Sequence, residues 1–411
     1  MRRTQFEFLE RDMTLTRAVP SLIDHKTFAD GPPHGLFDKL RREDPVHEEA
    51  NSLGGTVWSL TRYDDIREVS VNPKDFSSAE GMHYPNLREH AKYKRDNIMY
   101  CDPPQHTRLR GFAAKAFSPA VVARFEGWIR ELCVKIVDDV SAQDKFDAIP
   151  AIASELPGQV IATVMGVPPA DRWLIVKWAN DIFGRMDPAI GVERSIAAVK
   201  ECEAYALELR ERKRKEPDTD MATELTKASR AGEGITDREY CEMVSSLIVA
   251  GYETTHTLIA QSLVLMSDDE RVRAQIESTD RAGLGPAVEE FLRYTCPVMH
   301  MGRTATRDLD LRGKQIKAGD FVLMWYAAGN RDPETFADPH MFRTDRERRD
   351  HLAFGRGTHF CLGNHLARLE VEILLDEMNK RKLRLECSGR PTPSPGVFIN
   401  ALRKVPMRVV R

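Results

Sequence analysis

A ten-residue segment, Phe354 to Gly363, constrains this 411-residue chain more than any other part of it. It reads FGRGTHFCLG, so two glycines precede Cys361 and one follows it. Glycine tolerates positive φ, and a backbone built this way can lie close against a large, flat partner. An apolar-periodic run that predicts a helix begins directly afterwards. The N-terminus of that helix and the N–H groups of the loop favour a thiolate over the usual role of a lone cysteine, a small buried apolar side chain.

We expect His359, two residues before the cysteine, to be cationic, and a thiolate in such a loop meets the needs of an axial ligand to haem iron. At this motif the chain resembles the cytochrome P450 superfamily, and within it the soluble bacterial type of haem-thiolate monooxygenase. The resemblance implies that Cys361 ligates the iron of haem b (iron protoporphyrin IX) and that dioxygen is the co-substrate. It also implies that the haem contacts Phe354, Gly355, His359 and Gly363.

A second motif, AGYETT at residues 250–255, lies inside a long apolar-periodic segment that predicts a helix. Threonine can bond back to the carbonyl four residues earlier and bend a helix, and Gly251 weakens the same turn, so we expect a local opening here. The corresponding segment of cytochromes P450 activates oxygen. The resemblance implies that Thr254 orders a water network, that Glu253 relays protons, and that Ala250 and Gly251 lie beside the haem, with room for oxygen. The alternative is a threonine that merely satisfies its own helix.

A third motif pairs Glu290 with Arg293, three residues apart on a predicted helix. Such a pair shares one helix face and could be a surface ion pair of small energetic value. In the family that the chain resembles, the corresponding pair is buried under the haem loop, and an arginine from the segment before the cysteine joins it. Arg346 stands at that position. The resemblance therefore implies a structural role for these three residues.

A fourth motif places His106 and Arg110 four residues apart on one face of a predicted helix, after two prolines. The buried propionates of a haem need charge-assisted hydrogen bonds. The resemblance assigns this role to His106, Arg110, Arg303 and His359. Taken singly, each of the four could instead be a surface cation.

The resemblance also indicates where a substrate would bind. The implied lining is mostly apolar, which favours an uncharged, hydrocarbon-rich ligand: Ser246, Val249, Ala250, Val298, Met299, His300, Val397 and Phe398. The polar exceptions, His300 and the segment from Glu80 to Tyr84, could anchor a hydroxyl or a carboxylate, or could face solvent. A weak similarity near residues 398–406 points to relatives that oxidise terpenoids, steroids or fatty chains.

Composition argues against several other classes. The formal net charge of −3 disfavours nucleic acid or an anionic membrane as the main partner. The seven cysteines include no CxxC pair, so neither a disulfide framework nor a structural zinc site is predicted, and a reducing cytoplasm fits. The first residues lack the apolar core of a signal peptide, and the apolar region at residues 243–267 is too polar in its middle to span a bilayer. We expect a soluble, cytoplasmic monomer.

Periodicity is mostly helical from residue 119 to 292 and becomes strand-like afterwards. With the resemblance, this predicts a mainly α (α+β) cytochrome P450 fold, with the haem between the helices that carry the Thr254 and Cys361 motifs. No linker or repeat divides the chain. We expect residues 1–411 to form a single catalytic domain with its β-rich part at about 30–75 and 297–325.

The implied reaction inserts one oxygen atom of dioxygen into a C–H or C=C bond and releases the other as water. No GxGxxG motif follows a predicted strand, so we expect a separate electron donor, a ferredoxin of [2Fe–2S] type with an NAD(P)H-dependent ferredoxin reductase. Cations near the cysteine and after Pro104 could receive it: Arg108, Lys115, Arg346, Arg348, Arg349 and Arg356. Two alternatives stay open, a haem-thiolate peroxygenase and a non-catalytic haem or gas-binding protein. The Glu253–Thr254 pair counts against both.

Overall fold

The computed structural model describes residues 20–410 apart from 52–53, 86–93, 116, 185–189, 231–232 and 395. Most helices pack around one large apolar core, and the principal sheet with its neighbouring helices encloses a second, smaller one. The helices are α1 (His34–Glu43), α2 (Tyr63–Val71), α3 (Gln105–Ala113), α4 (Pro119–Val122), α5 (Glu126–Ser141), α6 (Glu155–Val164), α7 (Trp173–Phe183), α8 (Gly191–Lys215), α9 (Met221–Lys227), α10 (Asp237–Asp268), α11 (Glu270–Glu277), α12 (Arg281–Thr295), α13 (Tyr326–Gly329) and α14 (Asn364–Lys380).

The strands are shorter than the helices and fall into five separate sheets. They are β1 (Val46–Ala50), β2 (Thr56–Leu60), β3 (Phe76–Ser77), β4 (Lys145–Asp147), β5 (Ser229–Arg230), β6 (Glu233–Gly234), β7 (Met301–Ala305), β8 (Leu309–Leu311), β9 (Lys314–Ile316), β10 (Phe321–Met324), β11 (Arg384–Cys387), β12 (Thr392–Pro393), β13 (Leu402–Lys404) and β14 (Pro406–Val410). The described chain is therefore mainly α, with small β parts.

Helix α10 is the longest helix and crosses the larger core. It begins at a capping box, in which the Glu239 N–H donates to Thr236 Oγ1 (3.2 Å) and the Thr236 N–H donates to Glu239 Oε2 (3.0 Å). It packs against α6, α7 and α8, which explains why apolar residues occupy several of its faces.

The principal sheet has the order β1-β2-β10-β7-β3, with β2 and β10 parallel and the other pairs antiparallel. Nearly all residues of β2 and β10 are buried, as their apolar sequences TVWSL and FVLM favour. The sheet joins strands from residues 46–77 to strands from residues 301–324, and so brings β7 and its Arg303 to the site described below.

All seven cysteines are free thiols. Within the described ranges, no helix is long and apolar enough to cross a membrane. The single catalytic domain over residues 1–411 stays a prediction, and residues 1–19 lie outside the described part of the chain.

Candidate active site

The segment Phe354–Gly363, the cysteine loop, depends on its glycines for its shape. Gly355 and Gly357 have φ of 67° and 71°. A Cβ on Gly357 would lie 2.5 Å from the Ser70 carbonyl oxygen of α2, so the loop meets that helix where only glycine fits. The Cys361 N–H donates to the Phe354 carbonyl oxygen at 2.9 Å and closes the loop, and α14 begins three residues after the cysteine.

The Cys361 side chain is partly buried. Burial raises the pKa of its thiol, although the Gly363 N–H and the guanidinium groups of Arg110 and Arg368 act in the opposite direction. In the chain without a bound metal, desolvation outweighs the groups that favour the thiolate, and the haem-bound thiolate stays a prediction. A metal ion that binds the sulfur would deprotonate it, so the thiolate depends on ligation.

The four basic residues assigned to the propionates come together beside this loop. His106 and Arg110 lie on α3, Arg303 on β7 and His359 in the cysteine loop. The rings of His106 and His359 are 4.3 Å apart, and Arg110 Nη2 donates to the Phe360 carbonyl oxygen at 2.7 Å. His359 Nε2 lies 3.1 Å from Ser78 Oγ. Residues distant in sequence thus form one cluster.

This cluster has more hydrogen-bond donors than the surrounding protein has acceptors for them. His106 Nε2 is buried without a hydrogen-bond partner, and Arg303, which is 3% exposed, donates to the Gly302 carbonyl oxygen at 2.7 Å. Among the described residues neither Arg110 nor Arg303 forms an ion pair. Buried donors of this kind call for a negatively charged partner, and the two propionates of a haem fit that need.

Without a bound anion the two histidines are neutral, so the cationic His359 expected from the sequence is not found in the chain alone. Burial, reinforced by Arg110, lowers the pKa of His106 to about 4. Burial, reinforced by Arg303 and the other members of the cluster, lowers the pKa of His359 well below its usual value. Both rings are therefore neutral at pH 7, while the arginines supply the positive charge.

On α10, the partly or fully exposed side chains lie on one stripe. Ser246, Val249, Ala250 and Thr254, the exposed stripe, follow helical spacing, and the other residues from 239 to 260 are buried apart from Gly251. Because the other sides of α10 are packed, this stripe is the part of the helix that a ligand could contact. The predicted pocket residues of this helix and Thr254 therefore face the same space.

The turn at Thr254 is regular. Thr254 Oγ1 donates to the Ala250 carbonyl oxygen at 2.8 Å, and α10 continues without interruption. The expected local opening is wrong, because the hydroxyl adds its bond to an intact helix. A Cβ on Gly251 would lie 2.8 Å from Ile161 Cδ1, so that side chain of α6 fills the space which the glycine leaves. Only the backbone of Gly251 could therefore lie beside the haem, and this position stays a prediction.

Glu253 lies off the exposed stripe and is 7% exposed. Its Oε1 is 3.8 Å from Nδ1 of His256, a buried histidine whose ring nitrogens have no hydrogen-bond partner in the described chain. His256 also stacks on Tyr252 at 5.6 Å between ring centroids. Delivery of a proton from Glu253 to the cavity therefore requires its carboxylate to turn toward Thr254.

The opposite predicted wall is built from two paired segments. Val298 bridges to Ile399, and the Met299 N–H donates to the Phe398 carbonyl oxygen at 2.8 Å. Val298, Met299 and Val397 are buried, whereas Phe398 is partly exposed. Among the predicted pocket residues of this wall, Phe398 is therefore the one whose side chain a ligand could contact.

His300 joins segments of the protein and neither faces solvent nor offers a nitrogen to a substrate. It is 0% exposed, its Nδ1 lies 2.9 Å from the Val397 carbonyl oxygen, and its Nε2 accepts the Tyr84 N–H at 3.0 Å. Burial lowers its pKa to about 3. Its expected role as a polar anchor or solvent-facing group is wrong, because both ring nitrogens are used. From the segment 80–84, the partly exposed His83 lies beside Phe398, with ring centroids 5.0 Å apart.

Glu290, Arg293 and Arg346 form a buried network. Arg293 contacts the Glu290 carboxylate through Nε (2.8 Å) and Nη2 (2.7 Å), and Arg346 Nε lies 3.0 Å from both carboxylate oxygens. Arg293 Nη1 also donates to the Asn330 carbonyl oxygen, and Asn330 Oδ1 accepts the Leu352 N–H at 2.6 Å, just before the cysteine loop. The contacts join α12 to the segment that leads into the loop.

A second network was missed from the sequence, since no local pattern links its members. Glu289 Oε2 lies 3.1 Å from Arg368 Nη2 and 3.2 Å from His351 Nε2. The Arg368 guanidinium lies 4.5 Å from the centroid of the Phe354 ring, at the start of the cysteine loop. Burial alone would raise the pKa of Glu289, but the hydrogen bonds from His351 and Arg368 outweigh it and lower the pKa to about 2.

The expected cationic surface beside the loop is smaller than the sequence suggests. Arg346 is buried against Glu290, Arg108 pairs with Glu239, and Arg348 pairs with Asp350 at 2.7 Å. Lys115 and Arg349 are exposed. Only part of the predicted set is therefore available to an acidic partner.

Known proteins resemble this chain in sequence and in fold. Residues 284–391 match the family model described as Cytochrome P450. The methyl-branched lipid omega-hydroxylase of Mycobacterium tuberculosis (strain ATCC 25618 / H37Rv) is 35% identical over 404 residues, which cover 94% of this chain and 93% of the relative. The steroid C26-monooxygenase of the same strain is 32% identical over 393 residues, covering 92% and 90%. A solved Mycobacterium marinum cytochrome P450 in complex with pseudoionone has a TM-score of 0.87 and 29% identity, covering 94% and 98%.

Proposed function

The chain belongs to the cytochrome P450 family, and from this premise we propose which of its residues hold the haem, order the protons and meet the substrate. The predicted fold class is confirmed, and the chain is a monooxygenase of hydrophobic small molecules.

We propose haem b as the cofactor, with Cys361 as the residue that would bind its iron and with Phe354, Gly355 and Gly363 as the residues that would shape the loop against it. The observation that carries this assignment is the cluster of His106, Arg110, Arg303 and His359 beside the cysteine, in which His106 Nε2 is buried without a hydrogen-bond partner and neither arginine forms an ion pair with a described residue. When bound, the haem supplies the activation of dioxygen. The chain supplies charge for the propionates and a sulfur donor in a fixed loop.

The proposed proton path uses the two sides of α10. Thr254 holds a water molecule at the cavity through its hydroxyl, and Glu253 brings protons from the buried side of the helix. Support comes from the position of Thr254 on the exposed stripe and from the buried contact of Glu253 with His256. A proton donor in such a place acts through geometry first and through its pKa second.

The proposed reaction is hydroxylation or epoxidation of a terpenoid, a steroid, or a fatty or aromatic hydrocarbon-like compound. The apolar members of the exposed stripe and Phe398 favour such a ligand. The relatives support it, because one is named for methyl-branched lipids, one for steroids, and one holds pseudoionone.

We further propose a separate electron donor, a [2Fe–2S] ferredoxin with its NAD(P)H-dependent reductase, for a monomeric enzyme in the cytoplasm. The exposed Lys115 and Arg349 can attract an acidic protein at long range. The seven free thiols fit a reducing compartment.

The test is spectroscopic and then catalytic. The purified, haem-loaded protein should show the thiolate-specific absorption of its reduced carbon monoxide complex, and hydrophobic ligands should shift its spin state. Product should then form with NADH, ferredoxin and reductase under dioxygen. Product formation with peroxide alone, and none with the reductase system, would instead identify a peroxygenase. Absence of the thiolate absorption would overturn the cofactor assignment.

A further inference from the structure

Ser246 is a polar member of the exposed stripe, two helical turns before Thr254. Its Oγ accepts a hydrogen bond from Asn97 Nδ2 at 2.7 Å. Asn97 stands immediately before a short turn, Ile98–Tyr100, that packs near α10. The two residues are 149 positions apart in the chain and meet only in the folded protein.

The hydrogen bonds of Asn97 determine which way its amide points. Its Oδ1 accepts the Met99 N–H at 2.9 Å, and its Nδ2 donates to Glu242 Oε2 at 3.0 Å as well as to Ser246. A flipped amide would place its oxygen against the Glu242 carboxylate, so the amide nitrogen must face Ser246. Ser246 Oγ is therefore an acceptor toward Asn97.

The hydroxyl hydrogen of Ser246 is left for another partner. Thr254 uses its hydroxyl on the Ala250 carbonyl oxygen, whereas Ser246 donates to no group in the part of the chain that the structure describes. The side chain is partly exposed on the stripe that carries the predicted pocket residues. A serine hydroxyl has one donor hydrogen, so the proposed substrate pocket receives a hydrogen-bond donor at this point.

Charges behind Asn97 limit which acceptor can bind there. Lys94 Nζ lies 2.9 Å from both Glu203 Oε1 and Glu242 Oε1, so one cation stands between two carboxylates. The group Lys94, Glu203 and Glu242 carries a net charge of −1 when all three are ionised. Glu242 is buried, where charge interactions are weakly screened. A carboxylate at Ser246 would be repelled, whereas a neutral oxygen would not.

The spacing along α10 sets the distance between this donor and the reacting end of the cavity. Eight residues separate Ser246 from Thr254, which corresponds to about 12 Å along the helix axis. A substrate that meets both must present its oxygen and its reacting carbon at opposite ends of an apolar body.

We propose that Ser246 binds a neutral carbonyl or hydroxyl oxygen of the substrate, at about 12 Å along α10 from Thr254. This inference rests on the proposed function and narrows its substrate class. The enzyme prefers a lipophilic ketone or alcohol over the parent hydrocarbon and over the carboxylic acid of equal length.

The test compares 2-dodecanone, dodecane and dodecanoic acid by titration of the haem spin state in the haem-loaded enzyme. The ketone should bind most tightly in the wild type. Ser246→Ala should weaken ketone binding by roughly 2- to 12-fold and leave dodecane unchanged, as expected for loss of one hydrogen bond. Ser245→Ala is the matched control, because Ser245 is the adjacent residue of α10 and is buried away from the stripe.

Glu242→Gln tests the charge argument separately. Removing this negative charge should tighten the binding of dodecanoic acid relative to the ketone. The carbon monoxide spectrum of each preparation distinguishes the two levels of failure, since its loss would contradict the haem assignment itself. With that spectrum intact, equal binding of ketone and hydrocarbon, no binding of the ketone, or an unchanged ketone affinity in Ser246→Ala would overturn the role of Ser246.

Discussion

At the scale of the residue, burial determines the charge of the groups around Cys361. It raises the pKa of the thiol and lowers the pKa of His106 to about 4, so both are neutral in the chain alone. Arg110 and Arg303 keep their charge and have no acidic partner among the described residues. The site is thus positive and short of acceptors, which suits a ligand that carries two carboxylates.

Cys361→Ala should abolish the thiolate-specific absorption of the reduced carbon monoxide complex, because the loop then has no sulfur to offer. The measurement is the difference spectrum of the purified variant. Cys387→Ala, at a partly buried free thiol outside the loop, is the control and should keep the absorption. A normal spectrum from the Cys361 variant would contradict the assignment of Cys361 as the residue that binds the haem iron.

Thr254→Ala should uncouple the enzyme, so that reducing equivalents are consumed but appear as peroxide instead of product. The hydroxyl that would order water at the cavity is lost, and general acid catalysis contributes about 10²–10⁴-fold where it operates. Product and peroxide per NADH consumed are the quantities to measure. Thr254→Ser keeps a hydroxyl and should restore most of the coupling. Unchanged coupling in the alanine variant would mean that the hydroxyl serves only its own helix.

At the scale of the element, two buried networks connect the helices to the cysteine loop. Glu290 and its two arginines join α12 to residues 330–346. Glu289 joins α12 to α14 through Arg368 and to His351 before the loop. Two adjacent acids of α12, Glu289 and Glu290, therefore hold both the segment before the cysteine loop and the helix after it.

Glu290→Ala should give poorly folded protein with little haem. Removal of one partner leaves two buried arginines uncompensated, which typically costs about 3–5 kcal/mol, a large part of ordinary domain stability. Thermal melting and haem content are the readouts. The control is Asp30→Ala, which removes the ion pair between Asp30 and Arg390. Because these two side chains are 85% and 84% exposed, both readouts should stay unchanged. Wild-type melting and full haem in the Glu290 variant would contradict a structural role.

The contribution of Glu289 to the free energy of unfolding should depend on pH. Its pKa is about 2 in the folded protein against 4.5 for an ordinary glutamate, so ionisation favours the folded state above about pH 4.5, and this advantage is lost as the pH falls toward 2. The difference in free energy of unfolding between wild type and Glu289→Gln should be largest near neutral pH and should shrink between pH 4.5 and 2. Urea unfolding across this range measures it, with Glu347→Gln at an exposed site as control. A difference independent of pH would show that the carboxylate charge is not what matters.

At the scale of the whole molecule, the site lies between the two apolar cores. Helices α3 and α10 belong to the larger core, whereas β7 and α2, which contacts the cysteine loop, belong to the smaller one. A haem held by Arg110 and Arg303 would therefore connect both parts through its propionates.

Removal of the haem should lower the melting temperature by several degrees, because a ligand that binds only the folded state stabilises it by mass action, by about 3–4 kcal/mol at 100–1,000 times Kd. Scanning calorimetry of the holoenzyme, the haem-free protein and the reconstituted protein measures the effect. Reconstitution should restore the original value. Equal melting temperatures with and without haem would contradict a ligand that joins the two cores.

Features encoded within a short stretch could be predicted from the sequence. The glycines and the cysteine of the loop, the Glu290–Arg293 pair and the long helix around Thr254 each reflect local backbone geometry or a helical period, which neighbouring residues determine. The monooxygenase class followed from the order of these motifs along the chain.

The protonation states and the hydrogen-bond partners of the site residues, in contrast, depend on the tertiary structure. The neutral histidines and the fully used nitrogens of His300 depend on burial by distant segments and on contacts with them. The contact between Asn97 and Ser246 spans 149 positions, and Glu289 meets Arg368 across 79. No local pattern encodes such contacts, because desolvation and hydrogen bonding between distant segments arise only when the chain has folded.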